Sequence, residues 1–387
     1  MITTGVVFIE GFAYGYYVVR RTTSGYDRLD SYVKAQVSTM PRGGYSNPAD
    51  ESWFAPYWKE FNDSTFGAVD STSYSNSRRR PFKGRYINVD QSGRRVTWKS
   101  ESDSRGSIQI ALFGGATVWG TGARDEFTIP SYVSKMVAER YPHQFEVVNY
   151  GQDGYVSTQE VIEFLREVQK GNIPQIVVFY DGFNDMLAAI QPAAAGFPLN
   201  EDERRREFNI LHPSRAGDFW LEALNRTNTF QLIQGLRERF WPETLADSIK
   251  SDNEALAGDV VRTYFRNVDI VCAIAKRFGT VPFFFWQPSV FTKARPTAAE
   301  ESMIQAARPA ASFEKIVRAR MREAQTAGSQ RHFRDISGVL DSYAGTAFIG
   351  TSHTTELANE AIAREIVFDL DDTLEQELSL NSFKEIR

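Results

Sequence analysis

From about residue 106 onward, short and almost continuous apolar runs alternate with longer amphipathic stretches. The apolar runs, which we predict to be strands, occupy 107–113, 145–149, 176–180, 281–286 and 347–349. Hydrophobic positions at helical spacing follow at about 129–140, 157–170, 252–278, 313–325 and 355–368. Fully apolar strands separated by helices are typical of a parallel sheet that is covered on both faces. The pattern therefore predicts a three-layer α/β/α domain of flavodoxin-like type with about five parallel strands.

Local signals refine the helices and the connections between elements. The helix near residue 129 carries a proline in its first turn, where proline is tolerated. Ser157 is followed three residues later by Glu160, a capping-box pattern, so we predict Ser157 as the N-cap of the second helix. Two connections, 187–250 and 288–311, exceed the usual length of such loops. We predict that they are cap insertions beside a binding site.

The two ends of the chain differ from this alternating region. Residues 1–105 are polar and rich in aromatic residues, and we predict an N-terminal extension in which 84–90 and 93–98 are two short strands joined by a turn. The apolar run at 5–19 leaves two interpretations open: a buried strand or helix, or the end of an N-terminal membrane anchor. An anchor would place the protein at a membrane or outside the cytoplasm, and a buried segment fits a cytoplasmic protein. Residues 371–387 are predicted to be a charged C-terminal tail.

Composition narrows the classes of function. With 42% apolar and 24% charged residues among 387, the chain has ordinary globular composition. Its formal net charge of -5 argues against a general nucleic-acid binder, which usually carries a basic face. The single cysteine, Cys272, excludes an internal disulfide, and its apolar helical context is typical of a buried side chain. With four histidines and one cysteine, no metal-ligand spacing stands out, and we predict neither a metal nor a cofactor.

Candidate chemistry follows the ends of the predicted strands. The residues there read GGAT at 114–117, NYG at 149–151, DGFND at 181–185 and GTSH at 350–353. Together these residues make up most of an acyl-transfer site. In such a site the oxyanion would accept hydrogen bonds from three donors: the backbone N–H groups of Ala116 and Gly151 and the Asn184 amide. His353 is the predicted general base. A strand–turn–helix such as this one places a nucleophile at its turn, but the residue at that position is Ala116.

These motifs resemble those of the SGNH (GDSL-type) hydrolases over about residues 106–370. The family's first block is Gly-Asp-Ser or Gly-Gly-Ser, here Gly114-Gly115-Ala116, and Thr117 follows it. The second block is a glycine, matched by Gly151, and the third, Gly-x-Asn-Asp, is matched in full from Gly182 to Asp185. The last block is Asp-x-x-His, here Gly350 to His353.

The resemblance implies a site for ester hydrolysis or O-acyl transfer, with Gly115, Thr117, Gly182 and Asp185 in supporting positions. The N-terminal extension, with GRYINVD at 84–90, is similar to that of a subgroup often anchored in membranes. That subgroup acts on esters of glycans or lipids. The implied ligand is a small-molecule, glycan or lipid ester, and the oligomeric state is not predicted.

Two positions of the implied triad depart from the family pattern. Ala116 stands where the serine nucleophile belongs, and Gly350 stands where the aspartate belongs. Asp335 and Asp341 precede His353 nearby along the chain, but neither has the three-residue spacing. Two hypotheses stay open: an altered form of an active esterase or acyltransferase, or a pseudoenzyme that binds an acylated ligand without turnover.

Overall fold

The computed structural model describes residues 52–65, 69–100, 108–201, 205, 253–327 and 333–385. The elements given below belong to one compact unit, built from residues 39–199 and 251–387. The strands are β1 (Val69–Thr72), β2 (Asn76–Arg79), β3 (Phe82–Lys83), β4 (Asn88–Val89), β5 (Ile108–Gly114), β6 (Phe145–Asn149), β7 (Ile176–Asp181), β8 (Val281–Trp286) and β9 (Phe333–Asp335). The helices are α1 (Phe54–Thr65), α2 (Ala116–Trp119), α3 (Ile129–Arg140), α4 (Ser157–Gln169), α5 (Phe183–Ile190), α6 (Asn253–Phe278), α7 (Ala298–Ala306), α8 (Arg308–Ala327) and α9 (Glu356–Glu385).

Within the described residues, five parallel strands form the main sheet in the order β6–β5–β7–β8–β9. This is the strand order 2-1-3-4-5 of flavodoxin-like folds, in which ligands bind where the order reverses. The reversal lies between β5 and β7, whose ends are aligned because Gly114 pairs with Tyr180. The sheet therefore brings the GGAT and DGFND segments side by side, and the predicted fold class is confirmed.

Helices cover both faces of the sheet, which explains why the strands are apolar throughout. On one face, α3 and α9 pack against each other and bury side chains such as Ile110 and Leu112 of β5. On the other face, Phe113 stacks on Phe179, with ring centroids 5.0 Å apart, and Phe179 stacks on Phe284 at 5.4 Å. Helices α4, α6 and α8 form the layer over this aromatic row. Alternate side chains of one strand thus contact helices on opposite faces of the sheet. Because both faces are covered, the side chains on both must be apolar.

The predicted fifth strand was wrong, although the number of strands was right. Residues 347–349 are buried but lie outside the sheet, where Phe348 forms an isolated bridge with Thr354. The N–H groups of Ala347 and Phe348 donate to the buried carboxylate of Glu300, at 2.8 and 3.1 Å, and are therefore not used in a ladder. The fifth strand is instead β9, whose short and mixed sequence carries little strand pattern.

Two predicted helix boundaries also change. The N-cap of α4 is Val156 and not Ser157, whose hydroxyl donates to Asp185 Oδ1 at 2.5 Å from the first helical turn. Gln159 Oε1 accepts the Val156 N–H in the role that was predicted for Glu160. Helix α9 continues past residue 368 through most of the segment predicted to be a charged tail.

The described part of the N-terminal extension packs on the segment that follows α2. The Tyr57 hydroxyl on α1 accepts the Gly122 N–H at 2.7 Å. Arg95 is fully buried and donates to the carbonyl groups of Gly120 and Ala123, each at 2.6 Å. The expected strand pair at 84–90 and 93–98 is reduced to one bridge between Val89 and Arg95.

The apolar run at 5–19 and most of the 187–250 insertion lie outside the described residues. Among the helices that the structure does describe, none combines the length and the apolar character needed to cross a membrane.

Candidate active site

The turn from β5 into α2 forms the centre of the site. Gly115 is the N-cap and Ala116 is the first residue of the helix. The Trp119 N–H closes the turn on the Gly115 carbonyl at 3.1 Å. Because the first N–H groups of a helix have no intrahelical acceptor, the N–H of Ala116 is available to an oxygen atom placed at this turn.

The Asn184 amide lies directly against this turn. A Cβ atom at Gly115 would lie 2.2 Å from Asn184 Nδ2, so only glycine leaves room for the amide there. Asn184 Nδ2 also donates to the Tyr155 carbonyl at 2.8 Å, which fixes the direction of the side chain. Gly182 is the N-cap of α5 with φ of 126°, and a Cβ atom there would meet the Trp286 ring at 2.7 Å. Both glycines are therefore required by the close approach of β5, β7 and β8 at this edge.

The loop after β6 approaches α2 from the other side. A Cβ atom at Gly151 would lie 2.3 Å from the backbone nitrogen of Trp119, so this position also requires glycine. The Gly151 N–H donates to Asn149 Oδ1 at 2.9 Å, and Asn149 Nδ2 donates to the Val118 carbonyl at 3.0 Å. The Gly151 N–H is thus engaged within its own loop, and its role as an oxyanion donor stays a prediction.

Thr117 points away from the turn towards the end of β8. Its hydroxyl is buried and donates to Gln287 Oε1 at 3.4 Å. The same connection reaches the histidine loop, because the Val290 N–H donates to the Thr351 carbonyl at 2.9 Å. Thr117 therefore links α2 to the segment after β8, and its supporting role at the site stays a prediction.

His353 lies in a tight turn that precedes α9. The Ile349 N–H donates to the His353 carbonyl at 2.9 Å. A Cβ atom at Gly350 would lie 3.3 Å from His353 Nδ1, so the two positions face each other as in an Asp-x-x-His motif, but Gly350 supplies no carboxylate. Burial lowers the pKa of the His353 imidazole below its usual range, and the negative charge of Asp153 acts against this effect.

Asp153, whose negative charge acts on the His353 imidazole, was not among the acids predicted from the sequence. Of the two acids considered instead, Asp335 Oδ1 accepts the Ser337 N–H at 3.0 Å, and Asp341 Oδ1 accepts the Ala294 N–H at 2.9 Å. Asp153 lies in the loop after β6, two residues beyond Gly151. Its position at a strand end, beside a predicted oxyanion donor, was the signal that could have identified it.

Three buried carboxyl groups lie behind the Asn184 segment: Glu160 on α4, Asp181 at the end of β7 and Asp185 on α5. Burial raises the pKa of all three, to about 8 for Asp181, and the proximity of Glu160 and Asp181 raises the pKa of Glu160 further. Asp185 accepts both the hydroxyl and the backbone N–H of Ser157. Nowhere in the described ranges are three or more acidic, histidine or cysteine side chains grouped to hold a metal ion.

No protein-family model matches the chain, and no curated protein matches its sequence. Solved structures with a similar arrangement include a lipase, Lip_vut3, from a goat rumen metagenome, with 9% identity and a TM-score of 0.40. The match covers 68% of this chain and 97% of the lipase. A carbohydrate acetylesterase family member from Sinorhizobium meliloti has 14% identity and a TM-score of 0.37, with 70% and 99% covered.

A member of the lipolytic protein G-D-S-L family from Veillonella parvula has 10% identity and a TM-score of 0.38, with 69% of this chain and 99% of that chain covered. These scores lie below the level at which a structural likeness identifies a family. The interpretation of this chain therefore rests on its own strand order, its motifs and the geometry of the β5–α2 turn.

Proposed function

We propose that this chain binds a carboxylic ester of a small molecule, glycan or lipid on an SGNH-type ester-hydrolase framework, without forming an acyl-enzyme. The observation that carries the proposal is the contact of the Asn184 amide with the Gly115–Ala116 turn. Two kinds of donor, a side-chain amide and a helix N-terminal N–H, lie at this turn. Such a pair suits the carbonyl oxygen of an ester, or the oxyanion that forms when an ester is attacked.

The residue at position 116 decides whether chemistry follows binding. In the SGNH pattern a serine hydroxyl there attacks the ester carbonyl and the histidine accepts its proton. The methyl group of Ala116 has neither a lone pair nor a proton to transfer. Because nucleophile and base act as a unit, loss of the serine removes most of the rate even when His353 and the donors remain.

The test compares the natural chain with Ala116→Ser, and with Ala116→Ser combined with Gly350→Asp, using p-nitrophenyl acetate as the substrate. We expect no hydrolysis above background from the natural chain and hydrolysis about 100-fold above background in Ala116→Ser. A fluorophosphonate should label the serine variant covalently and leave the natural chain unlabelled, as measured by mass spectrometry.

A control variant and a binding measurement complete the design. Adding Asn184→Ala to the Ala116→Ser chain should lower kcat by about 10²- to 10³-fold through loss of an oxyanion donor. In the natural chain, glycerol triacetate should shift the NMR signals of the Ala116 N–H and the Asn184 amide. Efficient hydrolysis by the natural chain would disprove an inert site, and a folded serine variant with neither hydrolysis nor labelling, together with absent shifts, would disprove the ester site.

A further inference from the structure

A buried ion pair lies in the connection 288–311, which follows β8 and contains α7. The side chains of Lys293 and Glu300 are both fully buried, and Lys293 Nζ lies 2.7 Å from Glu300 Oε2. The same oxygen accepts the Thr297 N–H at 2.8 Å, which ties the pair to the start of α7. A buried ion pair often stabilises a fold no better than two apolar side chains of similar volume. The other partners of its polar atoms are therefore the informative part of this arrangement.

Those partners are backbone groups of residues 345–348. Glu300 Oε1 accepts the N–H groups of Ala347 and Phe348, at 2.8 and 3.1 Å. Lys293 Nζ donates to the Gly345 carbonyl at 2.6 Å. An anion thus binds two N–H groups and a cation binds a carbonyl group of the same short segment. These three hydrogen bonds fix both the position and the direction of the segment.

This segment is the first arm of the turn that carries His353. The Thr355 N–H donates to the Ala347 carbonyl at 2.8 Å, which joins the second arm to the first. Nearer the tip, the Ile349 N–H donates to the His353 carbonyl at 2.9 Å. Because the two arms are bonded to each other, a shift of the first arm would move His353 as well.

The connection after β8 also contacts α2, which starts at the centre of the site. Gln287 Oε1 accepts the Thr117 hydroxyl at 3.4 Å. The Val290 N–H donates to the Thr351 carbonyl, within the histidine turn, at 2.9 Å. Residues 287–300 therefore contact both the helix at the nucleophile position and the turn of the predicted base.

We propose that the buried Lys293–Glu300 pair positions the candidate site, by fixing the His353 turn relative to the β5–α2 turn. This inference rests on the proposed function, since it explains how the predicted base of that site is held. Lys293 and Glu300 are positioning residues, because they act through the backbone of 345–348. A displacement of about 1 Å at a reacting group can lower a rate by about 10²-fold, so the pair matters for proton transfer to His353.

Two neutral double variants isolate the hydrogen bonds to the turn. Lys293→Met with Glu300→Gln removes both charges but keeps an oxygen that can accept the N–H groups of 347–348. Lys293→Met with Glu300→Leu removes the charges and this acceptor. Replacing both residues together leaves no unpaired buried charge in either variant. A difference between the two variants therefore reports the acceptor at position 300.

The first readout is NMR relaxation dispersion of the His353 Cε1–Hε1 signal, assigned by its loss in His353→Gln. We expect the natural chain and the Glu300→Gln double variant to show the same dispersion, and the Glu300→Leu double variant to show an added exchange contribution. The matched control is Glu60→Gln, because the Glu60 carboxylate also accepts backbone N–H groups, those of 85–87. The control should leave the signal unchanged. Equal dispersion in the natural chain and the Glu300→Leu double variant would overturn the proposal.

Amide hydrogen exchange of the natural chain needs no substitution and remains informative if a double variant fails to fold. The N–H groups of Ala347 and Phe348 should exchange as slowly as those of β7, because their exposure requires the buried ion pair to open. Exchange of these two groups as fast as in exposed loops would overturn the proposal, since the turn would then not be held.

Kinetics in the Ala116→Ser background separate positioning from a general loss of structure. The Glu300→Leu double variant should lower kcat by at least about tenfold and leave KM within about twofold, because the ester is bound by the donors at 116 and 184. The Glu300→Gln double variant should recover most of kcat. Equal kcat values in the two double variants would overturn the proposal. If no serine variant hydrolyses ester while the His353 dispersion changes as expected, the proposed function is wrong and the positioning role stands.

Discussion

At the residue scale, the small residues of the site fall into two groups: those that close packing requires and those that it does not. Gly115 and Gly151 are required by space, because a Cβ atom at either position would overlap the Asn184 amide or the Trp119 backbone. Gly350 is not required in this way, since its Cβ atom would meet only the imidazole of His353 at 3.3 Å. Ala116 starts a helix in which a serine would also fit. Sterics therefore do not explain why positions 116 and 350 lack reactive groups. A serine at 116 and an aspartate at 350 can be introduced by substitution.

One prediction at this scale concerns Gly151. Gly151→Ala should destabilise the protein by roughly 1–3 kcal/mol, because the new methyl group meets backbone atoms that cannot move independently. The matched control is Gly258→Ala within α6, where nothing lies within 4 Å of the added Cβ atom. That substitution should stabilise the helix by about 0.5–1 kcal/mol. Urea unfolding measures both, and a neutral Gly151→Ala would contradict the close approach of this loop to α2.

At the scale of elements, the contact between α4, β7 and α5 depends on buried acids rather than on apolar side chains alone. Glu160, Asp181 and Asp185 come one from each element, and Ser157 connects α4 to Asp185. The predicted capping box failed for this reason, since both of its residues were used in tertiary contacts. Glu160 and Asp181 interact closely, and burial favours the protonated form of both. The pair holds a proton in the folded state that two separate carboxyl groups would release.

This proton makes stability depend on pH. The folded-state pKa of Asp181, about 8, lies above that of the unfolded chain, so only the folded state holds the proton between about pH 4 and pH 8. The free energy of unfolding should therefore fall as pH rises through this interval, by about 1.4 kcal/mol per pH unit for each such proton. Asp181→Asn, which needs no proton, should flatten the slope and be more stable than the natural chain above pH 8. Unfolding curves at several pH values test this, and equal slopes in the two chains would contradict it.

At the scale of the whole molecule, α9 connects the site to the core. The helix begins three residues after His353 and continues to Glu385, packing along α3. Leu370 and Leu374 are fully buried in the hydrophobic core, even though the surrounding sequence is strongly charged. Charged residues alternate with these leucines along the helix, and Asp371 pairs with Arg140 of α3. The segment predicted to be a tail is thus largely a structural part of the domain.

Two leucines of α9 provide the corresponding prediction. Leu374→Ala should destabilise the fold by about 2–5 kcal/mol, because it leaves a cavity in the hydrophobic core. Leu380→Ala, the same substitution six residues later, should change stability by less than about 0.5 kcal/mol, since Leu380 is 47% exposed. Thermal unfolding monitored by circular dichroism compares them, and similar effects of the two substitutions would contradict a buried C-terminal half of α9.

The sequence by itself determined the fold class and the position of most elements in the main domain. Strands covered on both faces must be apolar throughout, so β5, β6, β7 and β8 were visible as continuous runs whose ends carried the candidate residues. Glycines at strand ends were likewise informative, since Gly115, Gly151 and Gly182 are required by close packing. These are local signals, and a single sequence is sufficient to carry them.

Only the tertiary structure decided which polar groups meet. The sequence places Arg95 in the N-terminal extension, and no local pattern there connects it with the carbonyl groups of Gly120 and Ala123, to which it donates. The same holds for Glu300, which binds the backbone of 347–348 and keeps it out of the sheet, and for Ser157, which prefers Asp185 to its own helix end. Long-range electrostatic and hydrogen-bond partners depend on how the layers pack, and that information exists only once the chain has folded.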